Sequence, residues 1–310
     1  MRKNAESRAK RRSSATRNRA EKICLFAVCV SLLVFVYAPA PVSVSPAPSP
    51  SPSAAPIPQS QLFSLKMNSA EMGAAVPFLV YLPEGYSSDA RYPIWYAMHG
   101  YSSSEKMWVE EARAGDRADA LIMSGELAPM IMVFPYTRYD DAKTIEADMA
   151  DGVRGPSRME HFLCEELIPF IDAHYSTLAA PEWRYIGGFS MGGLFALQIG
   201  LHRPDLFGRI GACSPALTCH DFSGDAFERW LSTNPADAKE LSGYAADHGY
   251  DQIRVYLDCG DASDPFSEGA SSLYDALLAR GINAEFHPHE GGHSLRLDLV
   301  DAYLLFYGRK

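Results

Sequence analysis

From about residue 61 onward, the apolar positions of this 310-residue chain switch repeatedly between two rhythms. Short, nearly uninterrupted apolar or alternating runs predict strands at Leu62–Met67, Val76–Leu82, Ile94–Met98, Met130–Phe134, Trp183–Gly187, Ile210–Cys213, Ile253–Leu257 and Ala284–His287. Three-to-four spacing predicts helices near 105–123, from Ser157 to about Tyr175, just after Ser190, over Ser271–Ala279, and from His293 to about Phe306. In the second of these, Phe162, Leu163, Leu167, Phe170 and Ile171 share one face. Apolar strands alternating with helices imply an α/β architecture, a mostly parallel central sheet with helices on both faces. Such sheets place their sites at the carboxyl ends of the strands. Two stretches, about 136–156 and 221–250, lack a regular pattern and are expected to be cap or substrate-contact loops.

Before residue 61 the pattern changes character. Residues 1–22 carry nine basic side chains against Glu6 and Glu21. Ile23 to Ala38 is then apolar except for Ser31. A basic stretch followed by such a run is a secretory signal or a signal anchor. Ala38-Pro39-Ala40 resembles a cleavage site, but Pro41 would follow the cut. The expectation is therefore an uncleaved anchor at 23–38, with 1–22 on the cytoplasmic side and the enzyme domain at the cell surface. Residues 39–60 are mostly Pro, Ser and Ala and make a semi-rigid spacer. The folded body is expected over 61–310.

The formal net charge is −10 with a sequence pI near 5.4, so with a basic tail the body is clearly acidic. That argues against nucleic acid as a partner. Of the body cysteines, Cys213 and Cys219 are close enough to close a small disulfide loop, whereas Cys164 and Cys259 fall where buried free thiols are common.

The chemistry enters at Tyr185-Ile-Gly-Gly-Phe-Ser190-Met-Gly-Gly-Leu194. A strand pattern, Gly188-x-Ser190-x-Gly192 and a helix pattern follow one another, the layout of a nucleophile elbow. A serine on so sharp a turn has strained backbone angles and needs small neighbours. The turn exposes Ser190 Oγ and aims the Met191 N–H at the place where an oxyanion would form. A nucleophilic serine needs a base, oriented by an acid, in the chain order Ser, acid, His. His293 follows Gly291-Gly292 after the last strand and is the expected base, with His289 the alternative. The acid is expected after the strand Ile253–Leu257, and spacing alone leaves Asp258, Asp261 and Asp264 open. A second oxyanion donor is expected from His99-Gly100-Tyr101-Ser102, specifically the Tyr101 N–H, with His99 structural. No metal-ligand cluster and no cofactor motif is visible.

Taken with Tyr96-Ala-Met-His99-Gly100, Glu165-Glu-Leu-Ile-Pro169-Phe-Ile-Asp172, Arg203-Pro-Asp-Leu-Phe207, Cys259-Gly260 through Asp264-Pro-Phe266 and Gly291-Gly-His293-Ser294, the sequence resembles the esterase D-like family of α/β-hydrolases. That group includes feruloyl and acetylxylan esterases, S-formylglutathione hydrolases, siderophore esterases and mycobacterial mycolyltransferases. The resemblance covers nearly all of 61–310. It implies Ser190 as nucleophile, His293 as base and no metal. For the acid it favours Asp264, before Pro265-Phe266, while Asp261 stays the alternative because the stretch is one residue longer than in some relatives. The implied activity is hydrolysis of carboxylic esters, and export favours small or polysaccharide-linked esters, such as acetyl or feruloyl groups, over the cytosolic S-formylglutathione role. Tyr101, Trp108, Tyr136 and Tyr139 are candidate stacking residues or plain rim aromatics. The alternative activity is acyl transfer to a cell-surface acceptor. A catalytically dead binding protein is disfavoured by the intact Ser190 and His293.

Overall fold

The computed structural model describes residues 59–150, 156–217, 221–231, 244–247 and 249–309. The basic segment, the anchor or signal and nearly all of the spacer lie outside the described residues, as does Cys219.

Eight strands form one sheet, in the order β1-β2-β4-β3-β5-β6-β7-β8. They are β1 Gln61–Ser69, β2 Ala74–Leu82, β3 Ile94–Met98, β4 Ile131–Pro135, β5 Arg184–Phe189, β6 Arg209–Cys213, β7 Arg254–Cys259 and β8 Asn283–Pro288. The first two pair antiparallel, and β2 meets β4 antiparallel. From β4 through β8 every pairing is parallel. Each sequence-predicted strand is present, with ends shifted by one or two residues.

The helices are α1 Met107–Glu110, α2 Ala114–Ser124, α3 Ala142–Ala150, α4 Arg158–His161, α5 Ile168–His174, α6 Met191–His202, α7 Asp225–Leu231, α8 Tyr244–Asp247, α9 Ser267–Ala279 and α10 Val300–Gly308. A π-helical turn, Phe162–Leu167, joins α4 to α5, and the Ser157 hydroxyl caps α4 by accepting from Glu160 N. Strand alternation splits the core in two. Ile94, Tyr96 and Met98 face the cluster packed by α6 and α9, while Trp95 and Ala97 face the cluster packed by α2 and α10. Helix α6 is buried from Met191 to Leu201, which explains why its sequence is apolar all round.

Three expectations need correction. The helix expected near 105–123 is broken at Arg113, whose φ of 53° is left-handed. Residues 136–156, expected to be irregular, contain α3, and 221–250 contains α7 and α8. The last helix begins at Val300, so His293 lies on the preceding loop rather than at a helix start. Cys164 and Cys259 are buried free thiols, as expected, and so is Cys213 at the end of β6.

Candidate active site

Ser190 stands between β5 and α6 with φ 56° and ψ −119°, backbone angles that cost free energy in any residue with a Cβ. Tertiary hydrogen bonds hold it there. Ser190 N donates to Cys213 O at 3.0 Å, and Ser190 O accepts from Leu194 N and Ala216 N, each at 3.0 Å. The flanking glycines are required by close approach. A Cβ on Gly192 would overlap Met98 O and stand 2.5 Å from the Met98 carbonyl carbon and 2.8 Å from His99 O. A Cβ on Gly188 would overlap the Gly192 carbonyl and stand 2.8 Å from Met98 O.

The loop after β8 brings His293 Nε2 to 2.8 Å from Ser190 Oγ. On its far side, Nδ1 lies 3.4 Å from Asp264 Oδ2. The ring is stacked on Phe189 at 5.2 Å and met edge-on by Phe266 at 5.0 Å. The Asp264 carboxylate is buried, accepting from Phe266 N at Oδ1 (3.0 Å) and from the Cys259 thiol at Oδ2 (3.3 Å). Burial alone would push its pKa up, but the Phe266 N–H, the Cys259 thiol and the facing His293 outweigh that and hold it below the usual carboxylate value. Burial pushes the Cys259 thiol up to about 12, so at neutral pH it is a protonated donor.

The other two candidate acids are engaged elsewhere. Asp261 accepts from Ser263 N (2.8 Å) and Gly291 N (3.0 Å), while its own N–H donates to Gly291 O. It clamps the acid loop to the histidine loop, and the Gly291 and Ser263 N–H groups hold its pKa at about 2. Asp258 is buried under the sheet's end, accepting from Ser214 N and the Tyr303 hydroxyl. Desolvation raises its pKa despite those bonds. His289, the alternative base, does not reach the serine: its side chain is buried with Nε2 3.7 Å from Asp258 Oδ1.

Met191 is the first residue of α6, immediately after the serine. Across from it, a Cβ on Gly100 would stand 3.3 Å from Ser190 Cβ, so the Gly100–Tyr101 peptide lies beside the serine. That peptide is held by His99, which is fully buried. Its Nε2 accepts from Thr137 N at 3.0 Å, which fixes the tautomer, and Nδ1–H donates to Gly100 O at 2.7 Å. Burial lowers the His99 pKa to about 4, so the ring is neutral. Tyr101 and Tyr136 are half-buried at this loop, Tyr136 against the His99 ring at 5.2 Å and Arg138 over the Tyr101 ring at 5.5 Å, while half-buried Tyr139 meets Phe195 of α6. Trp108 is not with them. It is buried in the α2 and α10 side of the core, its indole N–H donating to Met98 O, which removes it from the candidate stacking residues.

Sequence reasoning passed over the Cys259 thiol, Phe189 and Tyr303. Phe189 is itself the residue between Gly188 and Ser190, and Cys259 lies five residues before Asp264, so the motifs held both signals; the Tyr303 contact joins α10 to Asp258, 45 residues away. Among the described residues no group of three or more His, Cys, Asp or Glu side chains could hold a metal ion.

A strained serine in hydrogen-bond contact with a histidine, itself beside a buried carboxylate, at the carboxyl ends of parallel strands defines the serine hydrolase class. The family model described as "Putative esterase" matches residues 69–297, and the chain belongs to that family. It is 32% identical over 220 residues to an endo-1,4-beta-xylanase/feruloyl esterase of Xylanibacter ruminicola, an alignment covering 68% of this chain and 26% of that protein. This chain thus matches only about a quarter of that relative's length. Among solved structures it is similar to a ferulic acid esterase (TM-score 0.64, 23% identity, 81% of this chain and 98% of the other). It is also similar to an S-formylglutathione hydrolase of Staphylococcus aureus (TM-score 0.58, 18% identity, 82% and 97%). At those identities the likeness is one of fold, the α/β-hydrolase fold.

Proposed function

We propose that the chain is an exported serine esterase acting through an acyl-enzyme on Ser190, with His293 as general base and Asp264 as the orienting acid. The observation that carries this reading is the 2.8 Å contact between His293 Nε2 and Ser190 Oγ, with Asp264 facing the other ring nitrogen. Ser190 Oγ attacks the ester carbonyl while its proton passes to His293 Nε2. The Asp264 carboxylate holds Nδ1–H and stabilises the imidazolium. The N–H groups of Met191 and Tyr101 receive the oxyanion. The alcohol leaves with the proton from Nε2. Water then gives a proton to the same nitrogen, attacks the acyl carbon and releases the acid, regenerating the Ser190 hydroxyl.

The proposed substrates are acetyl or feruloyl esters on polysaccharides. The xylanase/feruloyl esterase relative supports this class, and the half-buried tyrosines beside Gly100 suit a phenolic or sugar ring. Export and anchoring rest on the basic 1–22 and apolar 23–38 segments. Among the described residues no helix is long and apolar enough to cross a membrane.

The test is hydrolysis of p-nitrophenyl acetate, butyrate and octanoate and of methyl ferulate by the full chain, beside Ser190→Ala. Turnover of the acetate or ferulate that vanishes in the variant is expected. Turnover that survives Ser190→Ala would remove the serine from the mechanism, and a folded wild type inert on every ester would remove the esterase reading.

A further inference from the structure

On the α10 face, away from the serine, a cleft of about 390 Å³ opens where α10 ends and edge strand β8 is left uncovered. Its walls carry three guanidinium groups, Arg209, Arg254 and Arg309. Arg209 opens β6 and Arg254 opens β7, and the two are direct partners in the parallel register. Like charges placed opposite one another across strands are destabilising unless something neutralises them. Arg209 is fixed by donating to Phe306 O and Tyr307 O and lies over the Tyr185 ring at 5.2 Å, partners that carry no opposite formal charge. Arg254 lies over the Phe306 ring at 5.8 Å. Among the described residues none of the three guanidinium groups has a carboxylate partner. In a chain of net charge −10, three arginines without a carboxylate partner converge on one cleft, Arg254 and Arg309 on its exposed rim, and repel one another there. Burial and the neighbouring Arg254 lower the Arg209 pKa, in keeping with that strain.

The one carboxylate in the lining, Glu285, lies 3.7 Å from His287 Nε2 rather than from any arginine. It would repel a dianion such as phosphate, yet it is a good acceptor for hydroxyl groups. The volume is also several times that of a bare oxyanion, since a water occupies about 30 Å³ of liquid. We propose that this cleft binds a monoanionic polyhydroxy acid of the uronic-acid class. Its carboxylate is bridged by Arg254 and Arg309, and its hydroxyls are held by Glu285 and His287. The site lies at the amino ends of β6 and β7, roughly 16 Å along β7 from the Cys259 end that faces Asp264. Its existence does not depend on the serine esterase reading. If both hold, the cleft would grip a uronate unit of the polysaccharide whose ester is cut.

The test is calorimetric titration of the full chain with sodium glucuronate, glucose, inorganic phosphate and a glucuronate-bearing xylo-oligosaccharide. The far-ultraviolet circular dichroism spectrum and the urea midpoint serve as the folding control. Saturable glucuronate binding is expected, with no glucose binding and phosphate at least about tenfold weaker. Arg254→Ala and Arg309→Ala should each weaken glucuronate about tenfold or more, with ester hydrolysis unchanged. Glu285→Gln should weaken glucuronate while strengthening phosphate. Arg209 is left in place because it anchors α10. A tighter oligosaccharide than free glucuronate identifies a polymer-bound uronate as the ligand; equal affinities identify the free sugar acid. Failure of glucuronate to bind, phosphate binding as tightly, or binding indifferent to both arginine variants would overturn the assignment, whatever the esterase assay gives.

Discussion

Replacing Gly192 by Ala tests whether the elbow and the oxyanion loop are a single mechanical unit. The added methyl would stand 2.5 Å from the Met98 carbonyl carbon and 2.8 Å from His99 O. Ordinary carbon contacts lie near 3.5–4.0 Å, so the overlap is about 1 Å. Neither side can yield cheaply. Met98 is the last residue of β3, paired to β5 at Gly188, and its carbonyl accepts from Trp108. On the other side, α6 is buried from Met191 to Leu201. Overpacking of this kind costs about 1–3 kcal/mol of stability. The larger effect is expected on catalysis, because the chain that must move, Met98 to Gly100, carries the Tyr101 N–H. A misplacement of about 1 Å in such a constellation costs on the order of 100-fold in rate. The assay is kcat/KM on p-nitrophenyl acetate together with urea unfolding. Gly115→Ala is the control, since its methyl would meet the Tyr81 ring at an ordinary 3.4 Å. A Gly192→Ala enzyme with wild-type stability and wild-type kcat/KM would refute the reasoning.

Three further outcomes are expected. Asp264→Asn should lower kcat by about 10³–10⁴, whereas Asp261→Asn should cost no more than about tenfold, as measured by steady-state kinetics; the reverse order would move the acid to Asp261. Cys259→Ala should shift the acid limb of the kcat/KM profile to higher pH by a few tenths of a unit, and Cys259→Ser should restore or reverse it, because losing a neutral donor leaves more charge on the oxygen facing His293. His99 has a folded pKa of about 4 against 6.5 unfolded. Below pH 6.5 the unfolded chain therefore takes up a proton that the folded one refuses, and stability falls by up to about 3 kcal/mol between pH 6.5 and 4, then no further from this group. Urea midpoints of wild type and His99→Gln across that range should diverge in slope, and parallel curves would remove His99 as the cause.

Much of the fold can be read along the chain because the central strands, β3 to β7, are buried on both faces. Ile94–Met98 is apolar at every position because even and odd residues each meet a core. The elbow is legible for a related reason: Gly188, Ser190 and Gly192 are set by contacts within one turn and its nearest strand. What periodicity cannot show is where a tertiary demand overrides a local pattern. Leu295 and Leu299 have helical spacing, yet 293–299 stays out of α10. The loop is tied back by Asp261 to Gly291 and by His293 to Ser190, and helix geometry would carry the ring away from both partners.

The choice of acid has the same origin. Asp258, Asp261 and Asp264 fall within one short stretch, and each suits a turn or a triad equally well by residue type. Their roles are separated by partners some 30 to 45 residues away: Gly291 for Asp261, His293 for Asp264, Ser214 and Tyr303 for Asp258. The division has a consequence for catalysis. Asp261 ties the backbone of the histidine loop, which in the proposed triad leaves Asp264 to orient the ring, while Asp258 braces the strand ends beneath. Removing the clamp should therefore loosen where His293 sits, while removing Asp264 should change what its imidazolium is paired with. The two losses then differ in size and in pH dependence, because only the second takes a charge out of contact with the base.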